Sequence, residues 1–247
     1  MSNNYAYETP YKLKHHIKRE QGIPKEFPFK ARFPAPEDIP EDAPEIYVGM
    51  DSGVGNTAFS YIELIKNPDT NAVIDFKYKH SYYYAPELAM LLFQIDKQFF
   101  LMEQYYDLFA HKRVASLTYE LLPLTNIKDY ETLKGVIDAQ STTNMLNALA
   151  YSLNHPYKPT PATSIKYCLT GNGKASKEEM CQAAYAITGD EELLTNDHMA
   201  DAFADCFYAF IQRLKEDCAY YNSPVPEKWA TKFDWNFKVL PKAPWEK

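Results

Sequence analysis

Clusters of β-branched, aromatic and aliphatic residues, separated by turn-forming residues, predict five β-strands in this chain. The predicted strands cover residues 45–51, 57–66, 72–80, 113–120 and 164–169. A glycine-containing turn follows the first strand, and Pro68 and Asp69 supply a turn after the second. We therefore expect the first three strands to form a meander of β-hairpins.

Apolar residues spaced three and four positions apart predict helices between and after these strands. The predicted helices cover residues 86–112, 127–153, 177–188 and 197–215. Residues 86–110 form the most apolar long stretch, but five charged residues interrupt it, so no membrane span is expected. The order β-β-β-α-β-α-β-α-α is typical of an α/β fold, in which a hairpin meander leads into parallel strands covered by helices.

Charge divides the chain into an acidic centre and two basic ends. The 247 residues are 46% hydrophobic, enough for a substantial core, and their net charge of −7 excludes a uniformly basic nucleic-acid-binding coat. Residues 1–34 contain seven Lys and Arg against three Glu, and residues 222–247 contain five Lys against three acids. We expect a basic N-terminal extension and linker over 1–44, a central domain over 45–215, and an aromatic, basic tail over 216–247.

Two interpretations of the basic ends stay open. They either wrap the surface of the central domain or supply positive potential to a core that lacks it. The four cysteines include no CxxC pair, so a structural zinc site is not expected. The polar first 14 residues lack the apolar segment of a signal peptide, and a reducing cytoplasm is the expected location.

Acidic residues end two of the predicted strands. Asp51 closes the first strand and Glu120 the fourth, and strand ends are where sites form in α/β sheets. A third group, Asp197, His198 and Asp201, lies at the start of the last predicted helix. Such oxygen-rich sets suit divalent cations, and two ions about 4 Å apart promote phosphodiester hydrolysis. The alternatives are that Asp51 is a turn residue and Asp197 a helix N-cap.

Three motifs and one glutamate carry a resemblance to a known family. The motifs are GMDSG at residues 49–53, a segment at 164–177 with Lys166, Gly171, Gly173 and Lys177, and DHMADAF at 197–203. In this order they resemble the GIDPG, VKxxxxGxGxxxK and DHxADAL motifs of RuvC-type Holliday junction resolvases, and Glu120 matches the family's glutamate. The resemblance implies a ribonuclease-H-like mixed sheet, a β-hairpin meander plus parallel strands, flanked by helices.

The same resemblance implies the roles of individual residues. Asp51, Glu120, His198 and Asp201 would form the catalytic, metal-binding set, with two Mg²⁺ per active site and Mn²⁺ as a possible substitute. Lys166 and Lys177 would approach the DNA backbone. Lys174 lies between them, and small residues at Gly171 and Gly173 would let the main chain approach a phosphate. The alternative for this segment is an ordinary glycine turn before a helix capped by Ser176.

We therefore expect a structure-specific DNA endonuclease that resolves four-way or other branched DNA, such as a bacteriophage would need in its host's cytoplasm. Paired nicks require two active sites related by a two-fold axis, so a homodimer is expected. The helix from residue 127 is the interface candidate, with ordinary core packing as an equal alternative. Two other functions stay open: another ribonuclease-H-like nuclease, acting on RNA–DNA hybrids or on nucleic acid in general, and a non-catalytic DNA-binding or assembly module. Pro123 stands where family members often place a base-stacking aromatic residue.

Overall fold

A five-stranded mixed sheet forms the centre of the computed structural model, which describes residues 33–36, 38–53, 55–70, 73–83, 94–121 and 129–221. The strands are β1 (Glu45–Ser52), β2 (Thr57–Lys66), β3 (Val73–Tyr83), β4 (Arg113–Leu121) and β5 (Tyr157–Pro161). Their order in the sheet is β3-β2-β1-β4-β5. The first three strands pair antiparallel as a meander, whereas β4 runs parallel to both β1 and β5.

Helices cover both faces of this sheet. In the described part of the chain they are α1 (Gln94–Phe109), α2 (Tyr130–Ser152), α3 (Ala162–Thr170), α4 (Lys177–Thr188), α5 (Glu192–Thr195) and α6 (Asp197–Tyr221). One apolar core joins the sheet to α1 and α2, and a second joins the opposite face to α3, α4 and α6. The fold class expected from the sequence, a hairpin meander plus parallel strands flanked by helices, is confirmed.

The alternation of side chains along β1 assigns its residues to these two cores. Ile46, Val48 and Met50 face α1 and α2, whereas Tyr47 belongs to the core under α6. Because successive strand residues point to opposite faces, Gly49 and Asp51 lie on the same face as Tyr47. The strand therefore directs Asp51 toward α6.

Gly49 marks the closest approach of α6 to the sheet. A Cβ atom added to Gly49 would lie 2.0 Å from the carbonyl oxygen of Ala202 and 2.5 Å from the backbone nitrogen of Cys206. Only a residue without a side chain fits between this strand and this helix. The glycine thus lets α6 lie directly against β1, two residues before Asp51.

The prediction of a strand over residues 164–169 is wrong, because these residues belong to α3. Ile165, Cys168 and Leu169 are the buried residues of that helix, at the three- and four-residue spacing of a helical face. The fifth strand lies earlier, at β5, where Pro159 and Pro161 argue against a strand. Prolines are tolerated there because, among the described residues, β5 is at the sheet edge and pairs with β4 alone.

The remaining predicted elements are confirmed over the described residues, with changes at their ends. The predicted helix over 86–112 is described from Gln94 onward, and α6 continues to Tyr221. Residues 1–32, 86–93, 122–128 and 222–247 lie outside the described residues, so the expected basic ends, the start of the predicted helix over 86–112 and Pro123 stay predictions. Cys168, Cys181 and Cys206 are buried and free. Within the described residues, no helix is both long and apolar enough to cross a membrane.

Candidate active site

Two carboxylates lie side by side at the carboxyl ends of the central parallel strands. Met50 of β1 pairs with Tyr119 of β4, so the next residues, Asp51 and Glu120, are neighbours across the two strands. Tyr119 belongs to the core under α1 and α2, so Glu120 points to the other face, as Asp51 does. The pleat of the sheet therefore brings both carboxylates to the face covered by α6.

Asp201 joins them from the first turns of α6. One face of this helix is buried and consists of Met199, Ala202, Phe203, Cys206 and Phe207. A small cavity lies where the helix meets the strand ends. Its lining consists of Asp51, Glu120, Ala162, Ile165, Lys166, Met180, Asp201 and Asp205. Residues separated by up to 154 positions in sequence therefore share one site.

The charges in this cavity repel one another. Burial raises the pKa of Glu120, and the neighbouring Asp51 raises it further, against the opposing effect of Lys166 and Lys177. Burial also raises the pKa of Asp201 to about 7, with the like charges of Asp51 and Glu120 adding to the shift. The raised carboxyl pKa values show that burial and mutual repulsion outweigh the attraction of the nearby lysines.

His198 contacts Asp51 and does not line the cavity. Its Nδ1 lies 2.6 Å from Oδ2 of Asp51, and its Nε2 lies 3.1 Å from Nδ2 of Asn56. The hydroxyl of Tyr82 donates to Oδ1 of Asn56 at 3.1 Å, and the Tyr82 ring stacks on His198. The Asn56 amide nitrogen is a donor, so Nε2 of His198 accepts and Nδ1 donates to Asp51. The hydrogen bond to Asp51 raises the pKa of His198, although burial opposes this shift.

Asp197 is neither the cap of α6 nor part of the cavity lining. The side chain of Asn196 accepts a hydrogen bond from the backbone nitrogen of Met199 at 3.2 Å, so Asn196 is the cap. Asp197 forms an ion pair with Lys177. This pair lowers the pKa of Asp197 and raises the pKa of Lys177.

The predicted DNA-binding segment forms the turn between α3 and α4. Gly171 ends α3 in the left-handed conformation, at φ +76°, and a capping box formed by Ser176 and Glu179 begins α4. Lys174 is exposed in this turn. Lys166 lines the carboxylate cavity instead, and its Nζ donates to the carbonyl oxygen of Ala175 at 3.1 Å. The structure therefore separates Lys166 from the surface positions of Lys174 and Lys177.

Asp205 is the cavity residue that the sequence interpretation missed. It lies one helical turn after Asp201 and is 2% exposed. Burial raises its pKa well above the ordinary value, with Asp51, Glu120 and Asp201 adding to the shift. The signal was present in the sequence, because His198, Asp201 and Asp205 follow one another at spacings of three and four residues.

The donor chemistry of the cavity fits a divalent cation. Carboxylate oxygens are the ligands that Mg²⁺ and Mn²⁺ prefer, and Oδ1 of Asp205 is buried without a hydrogen-bond partner in the described structure. As the described side chains stand, no group of three or more His, Cys, Asp or Glu residues is arranged to hold an ion. Asp51 in particular is engaged with His198.

Comparison with solved structures identifies the fold. The Thermus thermophilus RuvC structure matches with a TM-score of 0.50 and 16% identity, over 69% of this chain and 96% of that chain. T. thermophilus RuvC in complex with Holliday junction substrate matches with a TM-score of 0.49 and 17% identity, over 70% of this chain and 96% of that chain. The yeast mitochondrial Holliday junction resolvase Ydc2 matches with a TM-score of 0.40 and 17% identity, over 85% of this chain and 98% of that chain.

No family model matches the sequence, and no curated protein matches it. At 16% identity, the similarity to T. thermophilus RuvC shows the fold alone. The expectation of a divergent RuvC-like, ribonuclease-H-like fold is confirmed.

Proposed function

We propose that this protein is a metal-dependent DNA endonuclease that resolves Holliday junctions or other branched DNA by paired nicks. One observation carries the proposal: Asp51, Glu120 and Asp201, from two strands and a helix, line one cavity at the carboxyl ends of the parallel strands. The RuvC-like fold supports it, because the motifs that resemble that family's active-site motifs supply these three carboxylates.

Asp51, Glu120 and Asp201 would hold two divalent cations, with His198 as the fourth ligand. When bound, such a pair of Mg²⁺ or Mn²⁺ ions activates a water for attack on a phosphodiester and stabilises the leaving oxygen. The carboxylates are partly buried and repel one another, as the raised pKa values of Glu120 and Asp201 indicate. Both ring nitrogens of His198 have protein partners, so ligation would replace one of these contacts.

The lysines would divide the work of binding DNA. Lys166 lies among the carboxylates and uses one of its three ammonium protons on Ala175, so it can also donate to a phosphate oxygen beside the cavity. Lys174 and the largely exposed Lys177 would contact phosphates farther out, where the turn at Gly171 and Gly173 lets the main chain come close. The basic segments over 1–34 and 222–247 would add to this attraction.

Paired nicks require two copies of the site, so we propose a homodimer. The candidate interface helix, α2, has one part that packs in the core and another that is exposed. Leu146 and Leu149, in its second half, are buried in the core. Tyr130, Ile137 and Tyr151 are 73%, 54% and 75% exposed on the same helix, so its exposed face is the candidate interface. Sedimentation equilibrium of the full chain would measure the oligomeric state directly.

The deciding experiment compares substrates and one isosteric variant. The full chain is incubated with Mg²⁺ or Mn²⁺ and a labelled four-way junction, a flap, a linear duplex or an RNA–DNA hybrid. We expect symmetric nicks in the junction, and we expect Asp51→Asn to abolish them while junction binding remains. Asp69→Asn, in an exposed turn, is the matched control. Preferred cleavage of the hybrid, or full cleavage by Asp51→Asn, would contradict the proposal.

A further inference from the structure

Asp205 is the acidic side chain whose position the proposed function leaves unexplained. It lines the same cavity as Asp51, Glu120 and Asp201, and it is 2% exposed. Its Oδ1 atom is fully buried and accepts no hydrogen bond from the described residues. Burying a carboxylate away from water and partners carries a large free-energy penalty, so a residue in this position is either protonated or compensated by a cation.

The fold holds Asp205 firmly against the strand that carries Asp51. A Cβ atom added to Gly49 would lie 2.9 Å from Cβ of Asp205, so Asp205 is seated directly on β1. Asp201 and Asp205 are separated by one turn of α6, and both belong to the lining of the cavity. The helix therefore presents two successive carboxylates to the strand ends.

The surrounding charges do not compensate Asp205. The charged groups that act on it, Asp51, Glu120 and Asp201, all carry the same sign. Lys166 is the cation in the described cavity lining, and its charge acts on Glu120. Its Nζ donates to the carbonyl oxygen of Ala175. The cluster can be neutralised in two ways, by protonation of its acids or by a cation from solution that displaces those protons.

We propose that Asp205 belongs to the cation-binding carboxylate set of this site, as a fourth acid beneath Asp51, Glu120 and Asp201. The inference rests on the proposed metal-dependent function and extends it, since the family resemblance assigns no role to this position. A fourth acid at the base of the cavity adds negative charge to the site, which strengthens its attraction for a divalent cation. It would also hold neighbouring ligands in place once the ion is bound.

The test measures binding of Mn²⁺ alone, without DNA, to the full chain. Affinity is determined by calorimetry, together with the melting temperature with and without Mn²⁺. We expect Asp205→Asn to weaken Mn²⁺ binding at least about tenfold and to reduce the melting-temperature increase that Mn²⁺ produces. Without metal, we expect this variant to melt at or above the wild-type temperature, because the substitution removes a buried like charge. Asp107→Asn, on the exposed side of α1, is the matched control.

The outcomes separate this inference from the proposed function. If Asp51→Asn loses Mn²⁺ affinity but Asp205→Asn binds as tightly as wild type, the Asp205 inference is wrong and the proposed metal site stands. If wild-type protein binds no Mn²⁺, both are wrong. A lower metal-free melting temperature with unchanged Mn²⁺ affinity would assign Asp205 a purely structural role. Asp205→Ala, which removes the carboxylate without leaving an amide, must weaken Mn²⁺ binding as well.

Discussion

Two polar side chains of this protein are nearly fully buried in different regions of the fold. Asp205 lies near the carboxyl ends of β1 and β4 and is 2% exposed, and His155 lies just before β5 and is 4% exposed. Oδ1 of Asp205 and Nε2 of His155 are both buried without a hydrogen-bond partner in the described structure. Their surroundings differ. The acid lies among Asp51, Glu120 and Asp201, whereas the imidazole lies beside the ring of Tyr105 and binds its hydroxyl at 3.0 Å.

This difference separates a structural residue from a functional one. Burial lowers the pKa of His155 to about 4, so the imidazole is neutral at neutral pH and needs no counter-charge. The acids around Asp205 also raise one another's pKa values, so a cation that binds among them would relieve repulsion that the His155 site does not have. Substitution of His155 should therefore change stability. Substitution of Asp205 or of the acids around it should change activity and metal binding.

The largest effect is expected for Glu120→Gln. The substitution removes one carboxylate without changing shape, and we expect Mg²⁺-dependent junction cleavage to fall by roughly 10³-fold. The metal-free melting temperature should stay the same or rise, because Glu120 repels Asp51. Cleavage rates and thermal unfolding of the same preparations test both statements, with the exposed Glu191→Gln as control. Full cleavage activity combined with a lower melting temperature would show that Glu120 has a structural role, as His155 does, and not a role in cleavage.

Gly49→Ala tests how much the stability of the fold depends on the close approach of α6 to β1. The new methyl group would meet the backbone of Ala202 and Cys206, so we expect a loss of roughly 3 kcal/mol in the free energy of unfolding. Gly189→Ala is the control, since that position has φ +74° but open space around it, and we expect about 1 kcal/mol. Urea titration of both variants measures the difference, and equal losses would show that α6 can move away from β1.

His155 should make stability depend on pH in a defined direction. Its folded pKa of about 4 lies below the ordinary value of 6.5, so the unfolded chain binds a proton that the folded chain does not. Stability should therefore fall as pH decreases from 6.5 to 4, by roughly 3 kcal/mol from this group. His155→Gln should remove that part of the pH dependence, whereas the exposed His111→Gln should keep it. Unfolding curves of the wild type and both variants at several pH values between 4 and 7 measure this free energy of unfolding. The same pH dependence in His155→Gln and in wild type would contradict the prediction.

The smallest effect is expected for Tyr82→Phe. The substitution keeps the ring stacked on His198 but removes the hydroxyl that donates to Asn56. Since one such hydrogen bond contributes about 1 kcal/mol, cleavage should fall about fivefold. The melting temperature should hardly change, and Tyr185→Phe on α4 is the control. An unchanged cleavage rate would show that Asn56 holds His198 without help from Tyr82.

The sequence predicted those features that depend on local pattern. The strands at Glu45–Ser52, Thr57–Lys66 and Arg113–Leu121 and the helix at Lys177–Thr188 follow from periodicity and turn residues that lie within each segment. It failed at β5, where two prolines hide a strand that only pairing with β4 creates. Edge position is a property of the assembled sheet, so no local pattern reports it.

The candidate site divides in the same way. The sequence by itself determined which residue types stand at strand ends and helix starts, and so it singled out Asp51, Glu120, His198 and Asp201 before any contact was known. Only the tertiary structure decided that His198 faces Asp51 rather than the cavity, and that Lys166 lies among the acids. It also revealed Asp205, whose burial depends on Gly49 letting a distant helix touch β1. Burial and charge repulsion arise between segments far apart in the chain, and folding is what brings those segments together.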